Sequence, residues 1–203
     1  MPQRSRRTAR LSGDERQEAI LLTAETLLAT RSLDEISIED LASGAGISRP
    51  GFYFYFSSKD DVLLALLDRV IGEVQQRVVT LPRDFDADPE AAWRRVIGVF
   101  VEVFAAHRAV SAAAIGARLR NPEVEALWSG AMQTWVGYAT DVIVAERARG
   151  AAPAGTDARA LAIALNLLNE RVLSSAFNGE TPAILPADAL DVLTGIWVRS
   201  IYS

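Results

Sequence analysis

The sequence predicts an all-α protein: a small N-terminal three-helix head on a larger helical body, about nine helices in all. Three observations predict it. Apolar residues recur at spacings of three and four along most of the 203 residues, the period of a helix with one buried face. Ser, Asp or Asn stands just before most of these runs, where its side-chain oxygen can accept from an unpaired first-turn amide. No stretch alternates apolar and polar residues in a context that suits a strand.

Ser12-Gly13-Asp14-Glu15 is a capping box, and the helix it opens carries Ile20, Ala24, Leu27 and Leu28 on one face. Ser37, with Asp40 three positions on, caps a short second helix with Ile38, Leu41 and Ala42 inward. Gly44 and Gly46 end it, since glycine accepts the left-handed conformation that other residues resist. Ser48 caps a third helix, with Pro50 inside its first turn, where a missing N–H costs nothing. Helix, tight turn and helix within about 18 residues are the footprint of a helix-turn-helix, whose second helix enters the DNA major groove. The run Phe52-Tyr53-Phe54-Tyr55-Phe56 has a strand-like period, but capping signals flank it on both sides. It reads as the end of that helix and the link onward, with Phe52 and Phe56 packed under the head.

Ser57 or Ser58 opens a long helix to Thr80, with Leu63, Leu66, Leu67, Val70 and Val74 inward. Pro82 to Pro89 is a loop. Asp88-Pro89 starts a helix that ends near His107. Ala109 to Arg118 reads as a short linking segment of small residues. Asn121-Pro122-Glu123 starts a long helix ending at Gly150, and AAPAGT is a linker. Two further helices cover about Asp157–Phe177 and Pro186–Tyr202. The expected organisation is an arginine-rich arm over 1–11, a DNA-binding head over 12–57 and an effector-binding and dimerisation body over 58–203.

Composition narrows the function. There is no cysteine, so disulfides, thiolate metal sites and thiol catalysis are excluded. No apolar run is long enough to span a bilayer, and no apolar stretch follows the N-terminal arginines as in a signal peptide. A cytoplasmic protein without a membrane partner is the expectation. The single histidine, the lack of HExxH, P-loop or dinucleotide fingerprints, and Glu170's lack of an evident partner argue against an enzyme, and no cofactor is implied. The net charge is −5; residues 1–60 carry 8 basic and 9 acidic side chains. Such a head binds DNA through locally placed groups rather than a diffuse basic field. Arg4, Arg6, Arg7 and Arg10 read either as an arm along the DNA backbone or as a solvated terminus.

In the body, Trp93, Ile97, Phe100 and Phe104 share one helix face, and Trp128, Met132, Trp135 and Ala139 share another. From spacing alone, plain core is the first reading of both stripes. Asn166 and Asn169, one turn apart on an apolar helix, are harder to place there. A buried amide without a partner costs about 1–3 kcal/mol, so either they fix helix packing or they serve a polar spot in a ligand site.

The capped helix before GAGIS, the FYFYF run, the SK pair and the long helix after it resemble the TetR family of one-component repressors. LLDRVI, AERARGAAP, ALNLLNERVL and IWVRSIY extend the resemblance along nearly the whole chain. It implies a TetR-like fold, a homodimer, a double-stranded operator and a small hydrophobic effector, with a nearby monooxygenase gene as the expected target. It implies a dimer interface on the last two helices, through Ala160, Ala164, Leu168, Val172 and Ala176 on one and Leu190, Leu193, Ile196 and Trp197 on the other. For DNA it implies Arg6, Arg7, Arg10, Ser37, Ser48, Arg49, Gly51, Tyr53 and Lys59. Arg49 has the fork for a guanine, and Ser37, Ser48, Tyr53 and Lys59 would hold phosphates. For the effector it implies Trp93, Phe100, Phe104, Trp128, Met132, Trp135, Tyr138, Asn166, Asn169 and Trp197. Two departures stand out: Gly51 replaces a larger DNA-facing residue, and Ser174 replaces an aromatic of the pocket wall. The competing reading is a helical small-molecule-binding protein without specific DNA binding.

Overall fold

The computed structural model describes residues 12–83 and 85–203. Arg6, Arg7, Arg10 and the arm over 1–11 lie outside the described residues. All described secondary structure is helical: α1 (Gly13–Leu28), a 3-10 turn (Leu33–Glu35), α2 (Ile38–Gly44), α3 (Arg49–Phe52), α4 (Lys59–Val79), α5 (Pro89–Ala106), α6 (Arg108–Arg118), α7 (Pro122–Ala148), α8 (Ala158–Asn178) and α9 (Ala189–Tyr202). Contacts divide the chain inside α4, after Ala65, eight residues beyond the boundary expected from the sequence.

The first unit is the head. Ser12 and Ser37 both make the capping boxes that the sequence predicts. Ile20, Leu41, Ala42 and Phe52 form its centre, each no more than 1% exposed. Where α2 meets α1 the approach is too close for a side chain: a Cβ on Gly44 would lie 2.3 Å from Thr23 Cγ2. Gly46 supplies the turn at φ +68°, and Ile47 N–H bonds back to the Ala42 carbonyl at 2.9 Å. The chain thus leaves α2 and enters α3 in a fixed direction.

The second unit is the helical body, in which α7 packs on α8 and α5 on α9. Trp93, Ile97, Val103, Ile143 and Leu193 are at its centre. One element departs from the sequence reading. Ala109 to Arg118 is not a link but most of a helix, α6, which leaves α5 at 88° after a break at His107. Its small residues mask the period, yet Val110, Ala114 and Ala117 are buried at spacings of four and three. Among the described residues no single helix is long and apolar enough to cross a membrane.

Candidate functional site

The head presents a short surface built on α3. Ser48 caps α3, its Oγ accepting from Gly51 N–H at 3.1 Å. A Cβ on Gly51 would stand 3.2 Å from that same Oγ, so a larger residue there presses on the cap. Ser48, Arg49 and Tyr53 are exposed, and the Tyr53 ring stands edge-on to buried Phe52 at 5.7 Å. Phe52 and Phe56 are buried as expected, at 0% and 7% exposure. Ser37 Oγ donates to Asp40 Oδ2 at 2.7 Å and accepts from Asp40 N–H at 3.1 Å. The Ser37 amide and Arg31 also donate to that carboxylate, which holds Asp40 down at a pKa of about 2.

Lys59 differs from the sequence reading. Its Nζ donates to the carbonyls of Leu33, Asp34 and Ile36 at 2.7, 3.2 and 3.1 Å. An ammonium has three hydrogens, so all are committed to the 3-10 turn and the residue after it. In this arrangement Lys59 ties α4 to the head and has no hydrogen left for a phosphate.

The body contains a two-lobed cavity. The wide lobe, about 550 Å³, is walled by Trp93, Ile97, Tyr138 and Trp197, with Gln75, Gln76 and Val79 of α4 along one side. The narrow lobe, pinched to about 50 Å³, lies among Phe104, Trp128, Met132 and Leu173. Phe100, Trp135, Asn166 and Asn169 line both. Every effector residue expected from the sequence therefore lines one lobe or both. The rings interlock edge to face: Phe100–Trp135 at 5.0 Å, Phe104–Trp128 at 5.9 Å and Trp128–Trp135 at 5.7 Å.

The polar groups are few and directed. Asn166 Nδ2 donates to the Ala162 carbonyl at 2.9 Å, and Asn169 Oδ1 accepts from Trp197 Nε1 at 2.9 Å. A carbonyl only accepts and an indole N–H only donates, so both amide orientations are fixed. Neither bond uses Asn166 Oδ1 or Asn169 Nδ2. The indole N–H groups of Trp128 and Trp135 are buried without a partner. Burial pushes the Tyr138 phenol up, against the opposing pull of Arg83 5.3 Å over its ring.

Arg118, Asn178 and the α4 side chains were not legible as site residues. Arg118 donates to Glu125 at 2.7 Å and to Glu170 at 2.6 Å and lies 5.2 Å over the Trp128 ring, spanning α6, α7 and α8 beside the narrow lobe. Ser174 lines the same lobe with Asn178. Gln75-Gln76 near the end of an amphipathic helix is the one signal that could have placed α4 at the cavity. No cluster of His, Cys, Asp or Glu able to hold a metal occurs among the described residues.

On the outer face of the last two helices, Ala160, Ile163, Ala164, Leu167 and Val192 are exposed. Ala176, Leu193 and Trp197 turn into their own subunit, at 8%, 0% and 3% exposure. Trp197 belongs to the cavity, so these three are not available to a partner chain.

Comparison with known proteins gives a consistent result. Residues 20–66 match the family described as bacterial regulatory proteins, tetR family. Residues 93–203 match the C-terminal domain of the transcriptional regulator EthR. The chain is 54% identical over 200 residues to the HTH-type transcriptional regulator EthR of Mycobacterium tuberculosis, covering 98% of this chain and 93% of that one. It is 47% identical over 199 residues to the regulator of the same name from Mycolicibacterium smegmatis, covering 98% and 92%. Among solved structures it resembles a tetR-family regulator from Streptomyces coelicolor (TM-score 0.75, 23% identity, 93% of this chain and 81% of that one). It also resembles a regulator from Saccharomonospora viridis in complex with choline (TM-score 0.76, 22% identity, 92% and 96%). These two likenesses show the fold alone.

Proposed function

The chain belongs to the TetR family of transcriptional regulators, and on that premise we propose that it is a repressor that binds a pseudo-palindromic operator as a homodimer and is released by a small hydrophobic effector. The observation that carries this reading is the two-lobed aromatic cavity with a few unused polar groups on its walls. A core closed for stability alone has no use for an open volume of about 550 Å³. An apolar body with a hydrogen-bonding group suits it.

Arg49 is the base-reading residue, because its guanidinium can pair with guanine in the major groove. Ser48 and Tyr53 position the head on phosphates, and the backbone at Gly51 approaches the DNA closely; Ser37, expected from the sequence to join them, gives both its hydroxyl and its amide hydrogen to Asp40 and serves the cap instead. Two heads about 34 Å apart, or a multiple of that, enter successive grooves. The exposed face of Ala160, Ile163, Ala164, Leu167 and Val192 packs against its copy in the dimer. An effector in the wide lobe bears on Gln75, Gln76 and Val79 of α4, the helix that starts at Lys59 in the head. It shifts the heads only by as much as it prefers the state that does not bind DNA. The regulated gene lies nearby and encodes a monooxygenase, and the protein works in the cytoplasm.

The test is a mobility-shift titration on DNA from upstream of the protein's own gene and its neighbour's, at stated salt, with and without a long apolar amide. Saturable, selective binding lost on adding the amide is the expected result. Tight amide binding without selective DNA binding would support a ligand-carrying protein instead.

A further inference from the structure

We propose that Phe54 is a DNA contact of an apolar kind, packing its ring on a deoxyribose of the operator backbone. The proposal rests on the operator-binding reading above. Phe54 is 87% exposed, whereas Phe52 and Phe56 on either side are buried at 0% and 7%. Its direction is set by a hydrogen-bonded turn: Phe54 N–H bonds to the Gly51 carbonyl at 3.3 Å, and Tyr55 N–H to the Phe52 carbonyl at 2.9 Å. The ring is therefore displayed by a fixed backbone beside half-exposed Tyr53.

The chemistry of the surrounding surface makes an apolar contact useful. Between Ser37 and Lys59 the only cations are Arg49 and Lys59. Lys59 Nζ is committed to three carbonyls. One guanidinium is then the whole mobile positive charge of the element that enters the groove. Phosphate attraction, which dominates most DNA affinity, is correspondingly weak there.

Phe54 has no donor for a phosphate oxygen, so its contact must be with apolar atoms. Base edges are read from the N-terminal part of a recognition helix. Phe54 lies two residues beyond the end of α3 at Phe52, which places it towards the backbone that flanks the groove. The apolar surface of that backbone is the sugar. Such a contact adds affinity equally for every sequence and releases no counterion.

The test uses the full-length protein, a labelled duplex that it selects from a random pool, and an unrelated duplex of equal length. Affinities of the wild type, Phe54→Ala and Phe54→Leu are measured from 50 to 200 mM salt. Phe54→Ala should lose about tenfold on both duplexes, as expected for uncovering part of a phenyl ring. The slope of log affinity against log salt should stay unchanged, and Phe54→Leu should recover most of the loss. Thermal melting should not move, since the side chain is exposed. No loss for Phe54→Ala would overturn the proposal. A loss confined to the selected duplex would mean a base contact, and a changed salt slope would mean an effect on phosphate contacts; either overturns the sugar assignment. A wild type that selects no duplex would refute the operator-binding reading itself.

Discussion

The indole N–H of Trp197 donates to the side-chain oxygen of Asn169 at 2.9 Å, with both residues at most 6% exposed. This bond joins α8 to α9 and orients the Asn169 amide nitrogen away from its own partner. Asn169 thus links two helices and lines the cavity at once.

Asn169→Ala should therefore destabilise the body by about 1–3 kcal/mol, because it strands a buried donor. Trp197→Phe removes that donor, but it also empties part of the contact with Trp93, whose ring centroid is 4.7 Å away. The double variant should be less destabilised than the two single effects added. Thermal melting of the four proteins checks this, and strict additivity would show that the bond contributes nothing.

A second prediction concerns alkaline stability. Tyr202 O–H donates to Glu146 at 2.9 Å, and Glu146 is 3% exposed and paired with Arg149 at 2.6 Å. Burial raises the Tyr202 pKa; the N–H of Trp93 opposes this, and the bond to Glu146 adds to it. A tyrosine in the unfolded chain ionises near about pH 10. Above that pH the unfolded state has lost a proton that the folded state keeps, so stability falls as pH rises. Below it the contribution is fully present. Tyr202→Phe should be less stable at pH 7, and its melting temperature should fall less between pH 9 and 11 than that of the wild type.

What the sequence made legible follows from the range of the forces involved. The capping boxes at Ser12 and Ser37 are local, and so are the stripes of Trp93–Phe104 and Trp128–Trp135; spacing alone reveals them. Asn166 and Asn169 stood out because two amides on an apolar helix need an explanation. Contacts between residues far apart in the chain left no such trace. Lys59 reaches carbonyls 23 to 26 residues away, and Tyr202 meets Glu146 across 56. Nothing in a neighbouring residue announces either pair. The helix α6 was hidden because alanine fits a link as well as a helix. Phe54 was hidden because period-two aromatics do not say which side a turn will bury.

The acid range tests the head separately. The Asp40 carboxylate accepts from the Ser37 amide and hydroxyl and from Arg31, and these bonds hold its pKa at about 2. An unfolded aspartate titrates near about 3.9. The stabilisation is thus present above that value and lost as pH falls towards 2. Asp40→Asn should weaken protection of the α2 amides at pH 7 and flatten its dependence below pH 4. Amide hydrogen exchange across residues 37–47 measures both, and identical pH profiles for the two proteins would contradict the assignment.

Lys59, which bonds three carbonyls of the head, can be separated experimentally from Arg49 and Tyr53, the groups proposed to meet DNA. If Lys59 ties α4 to the carbonyls of Leu33, Asp34 and Ile36, then Lys59→Met leaves those acceptors with a lost partner. The head should melt at lower temperature or exchange faster around residues 33–36. Its salt slope on a selected duplex should stay at the wild-type value. A phosphate-holding lysine would instead lower the magnitude of the slope by about 0.9 per head. Tyr53→Phe removes a hydroxyl that can reach a phosphate, and should weaken binding to selected and unrelated duplexes alike. Arg49→Ala should relax discrimination at one base position, by about 1–3 kcal/mol, and also reduce the salt slope. The three substitutions thus predict three different pairs of outcomes. A Lys59→Met protein with normal melting and a shallower slope would return Lys59 to the phosphate backbone and leave the 3-10 turn without its proposed anchor.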